Sequence, residues 1–173
     1  MNNKLSIILC IVCIGVGLLL LVPKKSNQIY YVTPLQLVAS STQYTNLDYG
    51  FMVSLPESWE KYKAVESGWE GYSLDTKGEN QVKSETGPLF LIRHPLWTTT
   101  APRQDIPVMI FTLKQWSDMQ ADKFHIGAAP VNPSELGRNS KYVFALPARY
   151  NFSYLTGFEE VDQIVRSGSV KAF

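Results

Sequence analysis

Both cysteines of this chain, Cys10 and Cys13, lie inside one uncharged apolar run, LSIILCIVCIGVGLLLLV, from Leu5 to Val22. Everything after that run must therefore fold without a disulfide, a thiolate metal ligand or a thiol nucleophile. Its stability has to come from a packed apolar core. At 173 residues, with 45% hydrophobic composition, the chain is long enough to build one such core. At about 1.5 Å per residue a helical Leu5–Val22 would be roughly 27 Å long, close to the hydrocarbon thickness of a bilayer. The run is longer than the apolar region of a usual signal peptide, and Pro23, Lys24 and Lys25 follow it where a small-residue cleavage site would stand. Leu9 and Val12 precede the two cysteines, which argues against a lipoprotein signal. The expected organisation is a transmembrane signal-anchor over 1–22, a tether over 23–43, and one domain over 44–173. Basic residues on the two sides of the run nearly tie, with Lys4 facing Lys24 and Lys25. We place the domain outside the cytoplasm, as for other short N-terminal anchors ahead of one folded unit.

Charge narrows the partners. Lys4 is the only charged side chain before Pro23, so of 16 basic and 15 acidic residues the remainder carries equal numbers. A phosphate-backbone binder presents a basic stripe, and none is present; nucleic acid is excluded as an expected partner.

In YGFMVSLPESW, Phe51, Val53 and Leu55 alternate with Met52 and Ser54, the period of a half-buried strand, and Pro56 ends the ladder. Trp59 is expected to fold back and cover that strand's apolar face. YKAVES and WEGYSLDT read as strands with a turn between them, and KGENQVKSETG as a polar connector. PLFLIRHP and IPVMIFTL are continuous apolar runs, as in strands covered on both faces, with Pro107 tolerated near a strand start. They are expected in the middle of the sheet. KQWSDMQAD predicts a short helix with Trp116 and Met119 on one face, and KYVFALPARY a last strand. KFHIGAAPVNPSELGRN reads as a loop with one helical turn at Pro133–Leu136. TGFEEVDQIVRSG predicts a C-terminal helix with Thr156 and Glu159 as a capping box and Phe158, Val161, Ile164 and Val165 as its apolar stripe. Thr33 and Pro34 suggest another short helix after the anchor. Strands joined by short loops, with helices at both ends, predict an α+β fold: an antiparallel sheet packed by N-terminal and C-terminal helices.

The strand-Pro-x-x-Trp opening, followed by further strands and an amphipathic helix, resembles domains of the PsbP-like fold. IRHPLW, RQDIPVMIFTLKQW, HIGAAPVNPSELGRNSKYVFALPARYNF and GFEEV are similar to segments of small membrane-anchored bacterial proteins. The resemblance covers about Tyr44 to Arg166 and implies a fold and an envelope location. PsbP-like domains in photosystems are accessory subunits that assist metal and chloride retention, but no motif here matches theirs, so no residue role is carried over.

His94, His125 and Asp105 are the nearest approach to a catalytic or metal-binding set. His94 at the end of one strand and Asp105 at the start of the next could meet at one sheet edge. No H-x-x-x-H, H-E-x-x-H or G-x-S-x-G pattern accompanies them. Arg93, Arg103, Arg138 and Arg149 stand near strand ends or in loops, where a pair could clamp an anion; pairing with Asp105 or Glu135 is the plainer role. Trp97, Tyr150, Phe152 and Tyr154 could present an aromatic surface to a peptide or sugar, or complete a core rim. Glu57 and Glu60 suit the first turn of a helix better than acid-base chemistry. Asn151 begins a glycosylation sequon that matters only in a glycosylating host. The expected function is a membrane-anchored, non-catalytic binding or accessory module of the bacterial cell envelope. It holds the bilayer through residues 5–22 and an envelope protein or small ligand through its domain, and needs no cofactor. The rival is a small hydrolase built on His94 and Asp105.

Overall fold

A computed structural model describes residues 42–74, 77–127 and 131–173. The apolar run, the helix expected after Thr33 and residues 23–41 of the expected tether lie outside the described residues, while its last two, Thr42 and Gln43, belong to the first strand. Among those described, no helix is long and apolar enough to cross a membrane.

The described chain is mostly antiparallel β-structure. A three-stranded sheet is ordered β1 (Thr42–Asn46), β2 (Phe51–Leu55), β9 (Val170–Ala172). A six-stranded sheet is ordered β6 (His125–Ile126), β3 (Lys63–Leu74), β4 (Gln81–Arg93), β5 (Ile106–Thr112), β8 (Tyr142–Leu146), β7 (Ser134–Arg138). A 3₁₀ turn spans Glu57–Trp59, α1 spans Leu113–Gln120 and α2 spans Phe158–Arg166.

β5 explains how the layers are held. Every residue from Ile106 to Phe111 is buried, and alternate side chains go to opposite faces because the strand period is two. Ile106, Val108 and Ile110 join Phe51, Val53, Leu55, Phe90 and Phe144 in one core, closed by Val161 and Ile164 of α2. Met109 and Phe111 join Trp69, Phe124, Val143 and Met119 of α1 in a second core on the other face. A strand covered on both sides needs apolar residues throughout, which is why this segment carries no polar alternation. β4 and β5 hold the middle of the six-stranded sheet, as the apolar runs predict.

The expected α+β arrangement, PsbP-like with a sheet packed by N-terminal and C-terminal helices, is overturned. The first core lies between the two sheets, with α2 as a side wall, and α1 is an internal helix directly after β5. β1 and β9 are too short and too polar to stand out in the sequence, so only β2 of the second layer of strands is legible there. Two further corrections concern β3 and β4. The turn expected inside β3 is absent: Lys63–Leu74 runs continuously against Gln81–Arg93, with one irregularity at Gly71/Tyr72. Most of the supposed polar connector belongs to β4, because the tip of this hairpin is exposed on both faces and needs no apolar side chains. The helical turn expected at Pro133–Leu136 is instead the start of β7, paired with β8.

Helix ends also differ from expectation. α1 carries a capping box in which Thr112 Oγ1 accepts the Gln115 N–H and the Gln115 side chain accepts the Thr112 N–H. α2 has no side-chain cap. It starts at Gly157, because the Thr156 carbonyl is engaged by the Gln104 N–H and is drawn into the neighbouring loop.

Trp59 is 1% exposed, in the first core beside the apolar face of β2, as expected. Asn139 joins the two sheets at their other end: its amide donates to the carbonyls of Tyr49 and Phe173, and its Oδ1 accepts the N–H groups of Lys141 and Tyr142.

Candidate functional site

Two loops at the base of the β3–β4 hairpin meet and form a groove. The first runs from His94 to Asp105 and links β4 to β5. Pro95 prevents β4 from continuing; the Trp97 N–H returns to the His94 carbonyl at 3.0 Å, and the Leu96 N–H donates to His94 Nδ1 at 3.1 Å. Thr98 Oγ1 accepts the Ala101 N–H at 2.9 Å and closes the loop's tip. The second loop, Pro147 to Thr156, makes two tight turns, with Arg149 and Tyr154 in the left-handed region at φ 56° and 48°. Gln104 ties the loops together: its backbone N–H donates to the Thr156 carbonyl at 2.9 Å and its side-chain amide to the Tyr150 carbonyl at 3.2 Å.

The resulting cavity has a volume of about 360 Å³. Trp97, Pro102, Pro107, Pro147, Tyr150 and Leu155 give it apolar walls, and Arg103, Gln104 and Asp105 line it as well. Most of these polar groups are already committed. Asp105 receives Arg93 Nε at 3.2 Å on both oxygens and Nη2 at 2.9 Å on Oδ2. The Arg93 guanidinium lies 3.9 Å over the Trp97 ring, so one arginine fixes both the carboxylate and the indole. The Tyr150 hydroxyl donates to Asp162 at 2.9 Å. Burial, reinforced by that bond to a carboxylate, pushes the phenol up to about 12.

Arg103 lines the groove and reaches toward α2. Its Nη2 stands 3.9 Å from Glu160 Oε2, and its Nε is buried without a hydrogen-bond partner. Gly157 makes room for it: at φ 84° no side chain is comfortable there, and a Cβ would sit 2.9 Å from Arg103 Nη2. His94 is 5% exposed and stacks edge-on against Trp59 with ring centroids 5.0 Å apart. Burial lowers its pKa, the nearby Arg103 charge lowers it further, and Glu160 opposes both. Because Nδ1 accepts the Leu96 N–H, the neutral ring carries its proton on Nε2.

Of the residues singled out from the sequence, Trp97, Arg103, Asp105 and Tyr150 come together in the groove. His94 lies behind it in contact with Trp59, and Arg149 is exposed on the second loop. His94 and Asp105 therefore do not form a pair: the carboxylate is held by Arg93 and the imidazole's acceptor nitrogen by Leu96. His125 is exposed on β6, opposite Tyr72. Arg138 is on β7 and binds Glu135 through Nε at 2.7 Å, the local pairing anticipated for it. Among the described residues no three His, Cys, Asp or Glu side chains gather where they could hold a metal. Sequence reasoning missed Pro102, Pro107, Pro147, Gln104 and Leu155 as groove residues. The signal available was a proline one or two residues before an arginine in each loop, APRQD and LPARY.

A wider hollow of about 690 Å³ lies over Glu66–Glu70 and Thr86–Pro88. Glu66, Ser67 and Thr86 line it among others, and its Glu70 is already bonded to Tyr72 and Lys83. The loop groove is the better candidate because its exposed chemistry is apolar and its polar groups are fixed in place.

No protein-family model matches this chain, and no curated protein and no solved structure matches it.

Proposed function

We propose that the protein is a membrane-anchored, non-catalytic binding module of the bacterial cell envelope, with Leu5–Val22 as its anchor and the domain outside the cytoplasm. Its ligand site is the loop groove, and its ligand is a short, extended, uncharged stretch of a partner polypeptide rich in aliphatic residues or proline. The observation that carries this reading is the internal satisfaction of Asp105, Gln104 and Tyr150, which leaves ring faces, proline rings and the loosely paired Arg103 as the groove's free chemistry. Such a surface gains from burying apolar area and has few polar groups to desolvate. A volume of about 360 Å³ suits two or three side chains. Prolines and rings set at fixed positions lose little entropy when a ligand docks.

The test is a fluorescence titration of the full chain in lipid nanodiscs with apolar pentapeptides that contain proline or leucine. Saturable binding that is lost in both Trp97→Ala and Tyr150→Ala supports the assignment. Equal binding by the native chain and both variants removes the groove as the site. The anchor is tested separately, by alkaline-carbonate extraction of membranes and by protease added to intact cells. Retention in the membrane pellet and digestion of the domain from outside are expected.

A further inference from the structure

We infer that the groove recognises the end of its partner: the ligand is a polypeptide C-terminus, with apolar side chains against the walls and its free α-carboxylate on Arg103. This rests on the groove reading above and deepens it, since the side chains of the bound stretch stay uncharged and its one charge comes from the main chain.

Arg103 differs from the other arginines of the chain. Arg93 is hydrogen-bonded to Asp105, Arg138 to Glu135 and Arg166 to Asp162, while Arg149 is exposed to water. The Arg103 side chain is only 21% exposed, yet its guanidinium makes no hydrogen bond among the described residues. Nε is buried without a partner, and Glu160 Oε2 stands 3.9 Å from Nη2, beyond hydrogen-bond reach. Glu160 is also shared, because Oε1 accepts the Ser58 hydroxyl at 2.6 Å. Taking a cation out of water is costly unless acceptors replace the lost hydration, so enclosed charges are as a rule paired. A guanidinium kept under-paired among apolar walls marks the place where a ligand brings the missing acceptor. Gly157 leaves that place open on the α2 side, since a Cβ there would fall 2.9 Å from Nη2.

The remaining walls select a chain end. Asp105 also lines the groove, but both its oxygens are engaged by Arg93. The Gln104 amide is bonded to the carbonyls of Asp105 and Tyr150, and the Tyr150 hydroxyl to Asp162. A phosphate needs several donors and would find one guanidinium, whereas a carboxylate is matched by a single planar fork. In an internal Asp or Glu the carboxylate hangs from a side chain, and main-chain N–H and C=O groups on both flanks would press against Trp97, Pro102, Pro107 and Leu155 without partners. At a C-terminus the carboxylate sits on the last Cα, so the final side chain lies directly beside those walls.

The experiment titrates the full chain, in phosphatidylcholine nanodiscs, with one pentapeptide of proline and leucine in three forms. These are the N-acetyl free acid, the N-acetyl C-terminal amide, and the N-succinyl C-terminal amide, which carries the same charge at the other end. The free acid is expected to bind about ten-fold more tightly than either amide. Arg103→Met should bind acid and amide alike, and Glu160→Gln, which removes the competing carboxylate, should bind the acid about two- to five-fold more tightly. Circular dichroism checks that both variants are folded, and the comparison of peptide forms on the native chain needs no variant. Saturable binding with equal affinity for acid and amides overturns the inference and leaves the apolar groove reading standing. So does a succinyl form that matches the free acid, or an acid preference that survives in folded Arg103→Met. If none of the three forms binds, the groove reading itself fails and the inference falls with it.

Discussion

Arg93 holds Trp97 and Asp105 at once: its guanidinium carbon lies 3.9 Å over the indole while Nε and Nη2 reach the carboxylate. Two residues of the twelve-residue loop between β4 and β5 are thereby fixed through one planar cation. Lysine cannot reproduce this fork, so Arg93→Lys is expected to lower stability by about 1–2 kcal/mol. It should also loosen the groove wall. Urea unfolding of the full chain measures the first effect, and acrylamide quenching of tryptophan emission the second. Unchanged values in both would mean the pair does no structural work.

Trp59 offers a contrast between two substitutions. The ring is buried and its Nε1 has no hydrogen-bond partner. Trp59→Ala should cost about 3–5 kcal/mol through the cavity it leaves. Trp59→Phe removes the unpaired N–H along with some volume, and is expected to cost less than about 1.5 kcal/mol. Thermal melts of both variants decide the matter. Similar losses in the two would place the indole nitrogen in a bond with water.

His94 should make stability depend on pH. Its folded-state pKa lies below the usual 6.5, chiefly through burial and then through Arg103. The unfolded chain therefore takes up a proton that the folded chain resists. The contribution is present above about pH 6.5 and is lost as pH falls through the depressed folded value. Comparing urea midpoints at about pH 7.5 and 5.5, His94→Asn should show a smaller acid loss than the native chain, since its Oδ1 stands where Nδ1 did and can still accept from Leu96. An identical acid loss would shift the effect to other groups.

Gly87 sits opposite Trp69 on the neighbouring strand, under the indole that donates to the Ile110 carbonyl at 2.8 Å. A Cβ there would fall 2.5 Å from Trp69 Nε1. Gly87→Ala should destabilise by about 1–3 kcal/mol and disturb the second core. Near-ultraviolet circular dichroism and melting report it; a variant as stable as the native chain would show that the ring can move aside freely.

How much of this was legible in the sequence depends on whether a segment is buried on one side, on both or on neither. β2, β5 and β8 could be read because burial imposes a pattern on them: Phe51, Val53 and Leu55 on one face, an unbroken apolar run in Ile106–Phe111. α2 was visible through Val161 and Ile164. The outer half of the β3–β4 hairpin was not, because exposure on both faces leaves only polar residues and glycines. β7 was hidden for a related reason: Pro133, Ser134 and Glu135 imitate a helix start, while backbone pairing with β8 decides the outcome. The groove was half legible. Trp97, Arg103, Asp105 and Tyr150 stood out as residue types, but Arg93's double hold and the Gln104 bonds between loops are long-range facts that no local pattern encodes.

The pairing of β2 with β9 bears on how the molecule comes into being. Val53 finds its partner Val170 only after almost the whole domain has been synthesised. Until those last residues emerge, Phe51, Val53 and Leu55 lack one flank, and the apolar side of β5 awaits a finished lid. A nascent chain would thus carry this surface uncovered until Val170–Ala172 has emerged, and anything shielding it would need to let go only then.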